Sequence, residues 1–273
     1  MRCNLCQSKK TIKKLTIKTR DRFEIASKVN GKNYTRFWYK CNNCLVLFNV
    51  QKLVNKKKLQ KISKNYFKID FPNLTPEKRF KKIINLANKH SDNYYRVKRV
   101  AKFLSKTRKH SKLLDFGAGL GIFLFKLIKL KFKNHNKWNF FSFEPDISNK
   151  KLIKKNIFIK NIDKNIFKKK NYYDFITLNK VLEHIEKPIE LLTRLRSILK
   201  DGAVIYIEVP HISGALKKND SSLVSLHYNI FSKASLEFIS FKLNFDILDL
   251  KIISEPSKKK TIYAFMKVNK NVR

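Results

Sequence analysis

At 273 residues, 43% of them apolar, the chain can bury the full core of one large domain and a small companion. Lys, Arg or Asn interrupts every apolar run well before the roughly 18 residues a membrane helix needs, and Met1-Arg2-Cys3-Asn4-Leu5-Cys6 lacks the apolar centre of a signal peptide; a cytoplasmic protein is expected. The formal net charge of +42 would suit a nucleic-acid or anionic-membrane partner, but lysines run through nearly every segment together with Asn, Ile and Phe, which reads as compositional bias rather than a binding stripe.

The only four cysteines come first, as Cys3-x-x-Cys6 and Cys41-x-x-Cys44. Two such pairs supply four thiolates for a tetrahedral zinc, each pair forming a knuckle whose backbone N–H groups can face the sulfurs. Between them Thr16, Ile17 and Thr19, then Phe23 and Ile25, then Phe37, Trp38 and Tyr39 are expected to supply the short strands of a zinc ribbon over residues 1–50. The alternatives are a redox pair, opposed by the doubled motif and the lack of a surrounding βαβ unit, and disulfides, opposed by the cytoplasmic setting. Four cysteines fill the coordination shell, so the expected Zn2+ is structural.

Residues 51–109 read as a lysine-rich helical connector or lid. Thr75 can cap a helix whose first turn holds Pro76, and Ile83, Ile84 and Ala87, then Val97, Val100, Ala101 and Leu104, recur at helical spacing. Residues 112–124 then read strand, tight turn, helix. Leu113, Leu114 and Phe116 form a short buried-strand run, and Gly117, Gly119 and Gly121 are three of only six glycines in the chain. Such a turn lets a nucleotide-like ligand approach the backbone closely. The dinucleotide fingerprint would put its third glycine at Ile122, and no Gly-Lys-Ser/Thr follows for a phosphate loop.

The remaining pattern, Asp115-x-Gly117-x-Gly119-x-Gly121, resembles motif I of class I S-adenosylmethionine-dependent methyltransferases. The resemblance implies that Gly117, Ala118, Gly119 and Gly121 underlie the methionine part of the cofactor and that Asp115 helps hold its ammonium group. A second strand, Phe140-Phe141-Ser142-Phe143, ends at Glu144, placed to accept hydrogen bonds from both ribose hydroxyls, whereas Asp146 suits a helix cap better. A third strand near residues 157–159 leads to Asn161-Ile162-Asp163, where the resemblance implies an adenine contact from an acid and an apolar residue; here Asn161 stands in the acid's place, beside Ile162.

The fourth strand, Tyr173 to Leu178, runs into Asn179-Lys180-Val181-Leu182-Glu183-His184, and a fifth spans Ala203 to Pro210. Together they resemble the branch that holds ubiquinone-type O-methyltransferases and many sugar-modifying methyltransferases, and Asn179 joins the implied cofactor set. Arg36 to Phe48 looks like the N-terminal ribbon of bacterial methyltransferases associated with sugar and surface-polysaccharide pathways, with Leu45 where a glycine is expected. His184 can act as general base toward a substrate hydroxyl or amine, or Glu183 and His184 can orient the loop and substrate without proton transfer. Lys180 occupies the place of an acid that the ubiquinone-type enzymes are thought to give to a metal. His211, His227 and Tyr228 are candidates for substrate binding, Ser232 caps a further helix, and Phe245 to Leu250 with Thr261 to Val268 form a closing antiparallel hairpin.

The expectation is therefore an α/β chain: a doubly wound, Rossmann-like, seven-stranded methyltransferase sheet over residues 110–273, preceded by the connector and the ribbon. Methyl transfer from S-adenosylmethionine to a small or glycan-linked acceptor, such as a nucleotide sugar, is the expected activity. Nucleic acid is a less favoured partner: an RNA methyltransferase would hold phosphates through the ribbon and lysines, but no Asn/Asp-Pro-Pro-Tyr motif follows the fourth strand. A non-catalytic docking module is the third reading.

Overall fold

Two sheets organise the computed structural model, which describes residues 1–51, 69, 73–106, 109–155, 159–161 and 164–269. The chain opens with strand β1 (Thr11–Ile17), helix α1 (Arg22–Ala26), β2 (Arg36–Cys41) and β3 (Leu47–Gln51). β1 pairs antiparallel with β2, and β2 with β3. Phe23 and Ile25, expected on a strand, lie in α1. The reason is local: the Asp21 carboxylate accepts hydrogen bonds from the Phe23 and Glu24 amides while the Glu24 carboxylate accepts one from the Asp21 amide, a capping box that outweighs the β preference of the apolar pair.

Helix α2 (Pro76–Ile84) starts as expected, with the Thr75 hydroxyl capping the Lys78 amide. Helix α3 (Asp92–Leu104) buries Val97, Val100, Ala101 and Leu104. There follow β4 (Ser111–Phe116), α4 (Ile122–Lys129), β5 (Trp138–Phe143), α5 (Ile147–Lys154), β6 (Lys160–Asn161), β7 (Tyr173–Asn179), α6 (Pro188–Arg196), β8 (Leu199–Pro210), β9 (Asn229–Ile230), α7 (Lys233–Lys242), β10 (Phe245–Ser254) and β11 (Lys260–Val268). Among the described residues the third parallel strand is the two-residue β6; residues 157 and 158 of its expected position lie outside them. Residues 52–68 and 70–72 of the connector, and Ile162 and Asp163 of the expected adenine contact, lie outside the described residues.

The large sheet has the order β10-β11-β8-β7-β4-β5-β6. Six strands are long, and β6 adds a short ladder at one edge. β6, β5, β4, β7 and β8 run parallel, while β11 and β10 close the other edge antiparallel. Helices cover both faces, so the central strands are apolar on both sides: Leu113, Phe175 and Tyr206 belong to one core cluster and Leu114, Ile176 and Ile205 to the other. From β4 the chain builds outward first through β5 and then, on the other side, through β7. Ligands collect where that reversal opens a crevice at the carboxyl ends of the strands.

The small sheet has the order β1-β2-β3-β9, so its fourth strand comes from the far end of the sequence. Leu47 and Phe48 pair with Ile230 and Asn229. The Asn49 amide donates to the Tyr228 carbonyl at 2.9 Å, the Asn49 side chain to the His227 carbonyl at 3.2 Å, and the Gln51 side chain to the Ser225 carbonyl at 2.9 Å. The segment that carries His227 and Tyr228 is therefore held by the N-terminal sheet. No helix among the described residues is long and apolar enough to cross a membrane.

Candidate active site

The crevice at the end of β4 is built by its three glycines. Gly117, Gly119 and Gly121 have φ of 76°, 56° and 75°, the left-handed region that an L side chain resists. At Gly117 space is also lacking, because a Cβ would stand 2.7 Å from a methyl carbon of Val181. The turn is tied down from the neighbouring strand. The Gly117 and Ala118 amides donate to the Phe143 carbonyl at 2.8 and 3.1 Å, and the Gly119 amide donates to Glu144 Oε2 at 2.7 Å. These three N–H groups are thus engaged within the protein.

Two buried carboxylates flank the turn. Asp115, 1% exposed, accepts hydrogen bonds from Thr177 Oγ1 at 2.6 Å and Asn179 Nδ2 at 2.9 Å. Glu144 takes the Gly119 amide on one oxygen and the Asp146 amide on the other, at 2.8 Å. Burial disfavours a charge on each, and the hydrogen bonds offset this only in part, so Asp115 is pushed up to about 6 and Glu144 to about 7. Asp146 caps α5 through the Asn149 amide, the role expected of it. Asn161 pairs in register with Ser142 near the same end of β5.

Behind Asp115 lies a network of which the sequence singles out only Lys180. Glu208, fully buried on β8, accepts hydrogen bonds from Arg96 Nε at 2.8 Å and from Arg99 at 2.9 Å, with Lys180 Nζ 3.6 Å away and the Tyr206 hydroxyl donating at 2.6 Å. Burial alone would raise the Glu208 pKa, but Arg96, Lys180 and Arg99 outweigh it and hold the carboxylate ionised. A signal was present: a glutamate inside the apolar run Val204 to Val209 requires charged partners when buried. Their identity depends on how α3 lies across the sheet.

Glu183, His184, His227 and Tyr228 are brought together at the loop after β7. The Tyr228 amide donates to the Glu183 carbonyl at 2.7 Å, the His184 and His227 rings meet edge to face at 4.9 Å, and His184 Nε2 stands 4.0 Å from Glu183 Oε1. Burial and the neighbouring His184 push the His227 imidazole down to about 3, so it is neutral at physiological pH. His211 Nδ1 lies 3.0 Å from the Phe231 carbonyl, and the residue lines a cleft of about 270 Å³ with Lys14, Lys40, Ile212 and Ser232 that includes none of Glu183, His184, His227 and Tyr228. A larger cavity of about 710 Å³ is lined by Leu120 and Gly121 of the glycine turn, by Phe125 and Ile153, and by Trp138 at the amino end of β5, among others.

The four cysteines converge although their sequence separation is large. Cys3 and Cys44 sulfurs are 3.6 Å apart, Cys6 and Cys41 sulfurs 3.5 Å, and all four lie within 4.8 Å of one another. Tetrahedral zinc with bonds of about 2.3 Å places its sulfurs about 3.8 Å apart, so the set fits that ion. Leu5 and Asn43 amides point at Cys3 and Cys41 sulfurs, both at 3.4 Å. Each knuckle then turns through a left-handed residue, Gln7 at φ 61° and Leu45 at φ 55°.

Solved structures with this fold are distant in sequence. A Burkholderia thailandensis 1,6-didemethyltoxoflavin N1-methyltransferase, solved with its toxoflavin precursor and S-adenosylhomocysteine, is 11% identical, with a TM-score of 0.57 over 86% of this chain and 96% of its own. Coclaurine N-methyltransferase, bound to N-methylheliamine and S-adenosylhomocysteine, is 10% identical at TM-score 0.54, covering 74% and 82%. The [4+2]-cyclase SpnF is 10% identical at TM-score 0.51, covering 63% and 80%, so the fold by itself does not fix the reaction. No curated protein matches the chain significantly. A family model described as a methyltransferase domain matches residues 88–250, which takes in α3, the glycine turn, both buried carboxylates and the Glu183-His184-His227 group. The chain belongs to this methyltransferase-domain family.

Proposed function

We propose that the protein transfers a methyl group from S-adenosylmethionine to a small or glycan-linked acceptor, with nucleotide sugars the leading class. The observation that carries the cofactor is a glycine turn set between two buried carboxylates of raised pKa, with the Gly117, Ala118 and Gly119 amides already engaged. Two carboxylates beside the turn disfavour a phosphate there. A cationic ligand would instead relieve the cost of ionising Asp115 and Glu144. The S-adenosylhomocysteine named with the toxoflavin and coclaurine enzymes supports the same reading.

When bound, S-adenosylmethionine supplies a methyl group on a positively charged sulfur. Asp115, steadied by Thr177 and Asn179, orients the ammonium; Glu144 accepts from the ribose hydroxyls while keeping the turn in place; the family resemblance assigns the adenine contact to Asn161 and Ile162. The left-handed glycines allow the backbone to approach the methionine part. His184 takes the proton of the acceptor hydroxyl or amine as the methyl arrives, with Glu183 beside it. His227 and Tyr228 bind the acceptor from the ribbon-held loop, and His211 contacts its distal part from the cleft beside Lys14 and Lys40. Cys3, Cys6, Cys41 and Cys44 hold a structural Zn2+ that keeps this loop's support folded.

Transfer of labelled methyl to a panel of nucleotide sugars tests the assignment. His184→Ala is expected to lower turnover by about 10²- to 10⁴-fold, the usual contribution of a positioned base, while cofactor affinity stays within about twofold. A large loss of cofactor binding in that variant would remove His184 from the acceptor side. The charge of +42 favours keeping RNA in the panel as the second reading. Label entering RNA, with binding that falls steeply as salt rises, would replace the sugar reading.

A further inference from the structure

His211 stands where the small sheet meets the large domain, in a cleft of about 270 Å³ built by separate segments of the chain. β1 contributes Lys14, β2 contributes Lys40, the chain after β8 contributes His211 and Ile212, and the chain from β9 to α7 contributes Ile230 and Ser232. Interfaces of this kind are a preferred place for ligands. Leu47 and Ile230, paired across β3 and β9, join Ile212 in the lining, and apolar surroundings screen a charge less than open water does.

The charge in this cleft has one sign. Among the described residues no acid lines it, and the ion pairs of lysines lie elsewhere, at Lys155, Lys180, Lys187, Lys200 and Lys251. Lys14 and Lys40 therefore share the cleft without a counter-charge. His211 Nδ1 lies 3.0 Å from the Phe231 carbonyl, which only accepts, so Nδ1 carries the hydrogen and Nε2 is left to share a proton with a ligand oxygen. Ser232 caps α7 by accepting from the Ser235 amide at 3.2 Å, so the positive end of a ten-residue helix adds to the same field.

We infer that Lys14, Lys40 and His211 form a binding site for a phosphate group, seated between the small sheet and the large domain. Lysines act on phosphate as point charges and need no two-pronged geometry, and a pair of them matches a phosphate dianion better than a single carboxylate. The cleft falls below the roughly 300–1,000 Å³ that encloses a whole small-molecule ligand, so it takes phosphate alone or the anionic part of a larger molecule. Tyr228, whose amide is bonded to Glu183, and Ser232 are four residues apart, at most about 14 Å of chain, so an acceptor seated beside His184 can extend into the cleft. That the phosphate belongs to the methyl acceptor rests on the reading above, whereas the phosphate site itself does not.

Calorimetric titration of the full-length protein with uridine diphosphate, uridine and inorganic phosphate tests the site, at physiological ionic strength so that attraction beyond about 8 Å is screened. One-to-one binding of the diphosphate, displacement by inorganic phosphate and no binding of uridine are expected. Phosphate binding as tightly as the diphosphate would identify the free anion as the occupant of the same site. Lys14→Gln with Lys40→Gln should weaken the diphosphate by at least about tenfold as charge-assisted contacts are lost. Lys78→Gln with Lys82→Gln, an equal change of charge on the exposed side of α2, should leave it within about twofold. Equal weakening by the two pairs, several diphosphates per chain, or no binding of either anion would overturn the site. Labelled-methyl transfer to nucleotide sugars, run on the same samples, separates the two readings: transfer indifferent to Lys14 and Lys40 counts against the site, and anion binding at the cleft without transfer counts against the acceptor reading alone.

Discussion

Asp115 links cofactor binding to pH. Its pKa is pushed up to about 6 by burial, and Glu144, pushed up to about 7, acts in the same direction. An ammonium needs Asp115 ionised, so affinity for S-adenosylmethionine should fall by about tenfold for each pH unit below about 6, and Asp115→Asn should flatten that dependence in calorimetric titrations. The stability of the ligand-free protein responds with the opposite sign. A carboxyl with a raised folded-state pKa contributes stability fully below its unfolded pKa, and the contribution is lost as pH rises through about 6. At this scale the sequence was informative where the site is local. The glycines and Asp115 stand within seven consecutive residues, and the scarcity of glycine elsewhere made them visible. Thr177, which holds Asp115, lies 62 residues away and reaches it only through the parallel register of β4 and β7. No local pattern announces such a partner.

Among the elements, legibility followed whether local rules agreed with one another. Thr75 and Pro76 begin α2 as expected because cap and first-turn proline point the same way. At Phe23 and Ile25 the rules conflict: the β preference of the pair points to a strand, the Asp21 and Glu24 capping box to a helix, and the box prevails in α1. Partners between elements were hidden for a different reason: β9 has only two residues, Asn229 and Ile230, too few for any periodic signal, yet it joins the large domain to the small sheet. The second knuckle gives a prediction on the same footing. Leu45 is held at φ 55° where a glycine is expected, so Leu45→Gly should stabilise the small sheet by about 1 kcal/mol, reduced by whatever the leucine side chain contributes through packing, and raise its denaturation midpoint. An unchanged or lower midpoint would mean that Leu45 contributes more through packing than it costs in backbone strain.

Across the whole molecule, the four-cysteine centre and the Glu183-His184-His227 group belong to one mechanical unit. β3 of the small sheet pairs with β9, and the Asn49 side chain and amide hold the His227 and Tyr228 carbonyls. Removing the proposed structural Zn2+ with a chelator, or replacing Cys44 with Ser, should therefore impair acceptor turnover more than cofactor affinity, since the glycine turn is tied to β5 rather than to the small sheet. Protease sensitivity confined to the first 51 residues and the 222–230 loop, measured beside turnover, checks that division. Equal loss of cofactor and acceptor binding would contradict it. The charge of +42 acts over the same scale without choosing a ligand: it speeds encounter with any anionic acceptor at low salt, and it does not determine what sits between Asp115 and Glu144. Calorimetric titration of the folded protein with S-adenosylmethionine, with Asp115→Asn and Glu144→Gln alongside, tests the occupant of that site most directly. One-to-one saturable binding, weakened by roughly 10- to 100-fold in each variant as a charge-assisted hydrogen bond is removed, is the expected result. Absence of binding by the folded protein, or binding indifferent to both substitutions, would contradict the account.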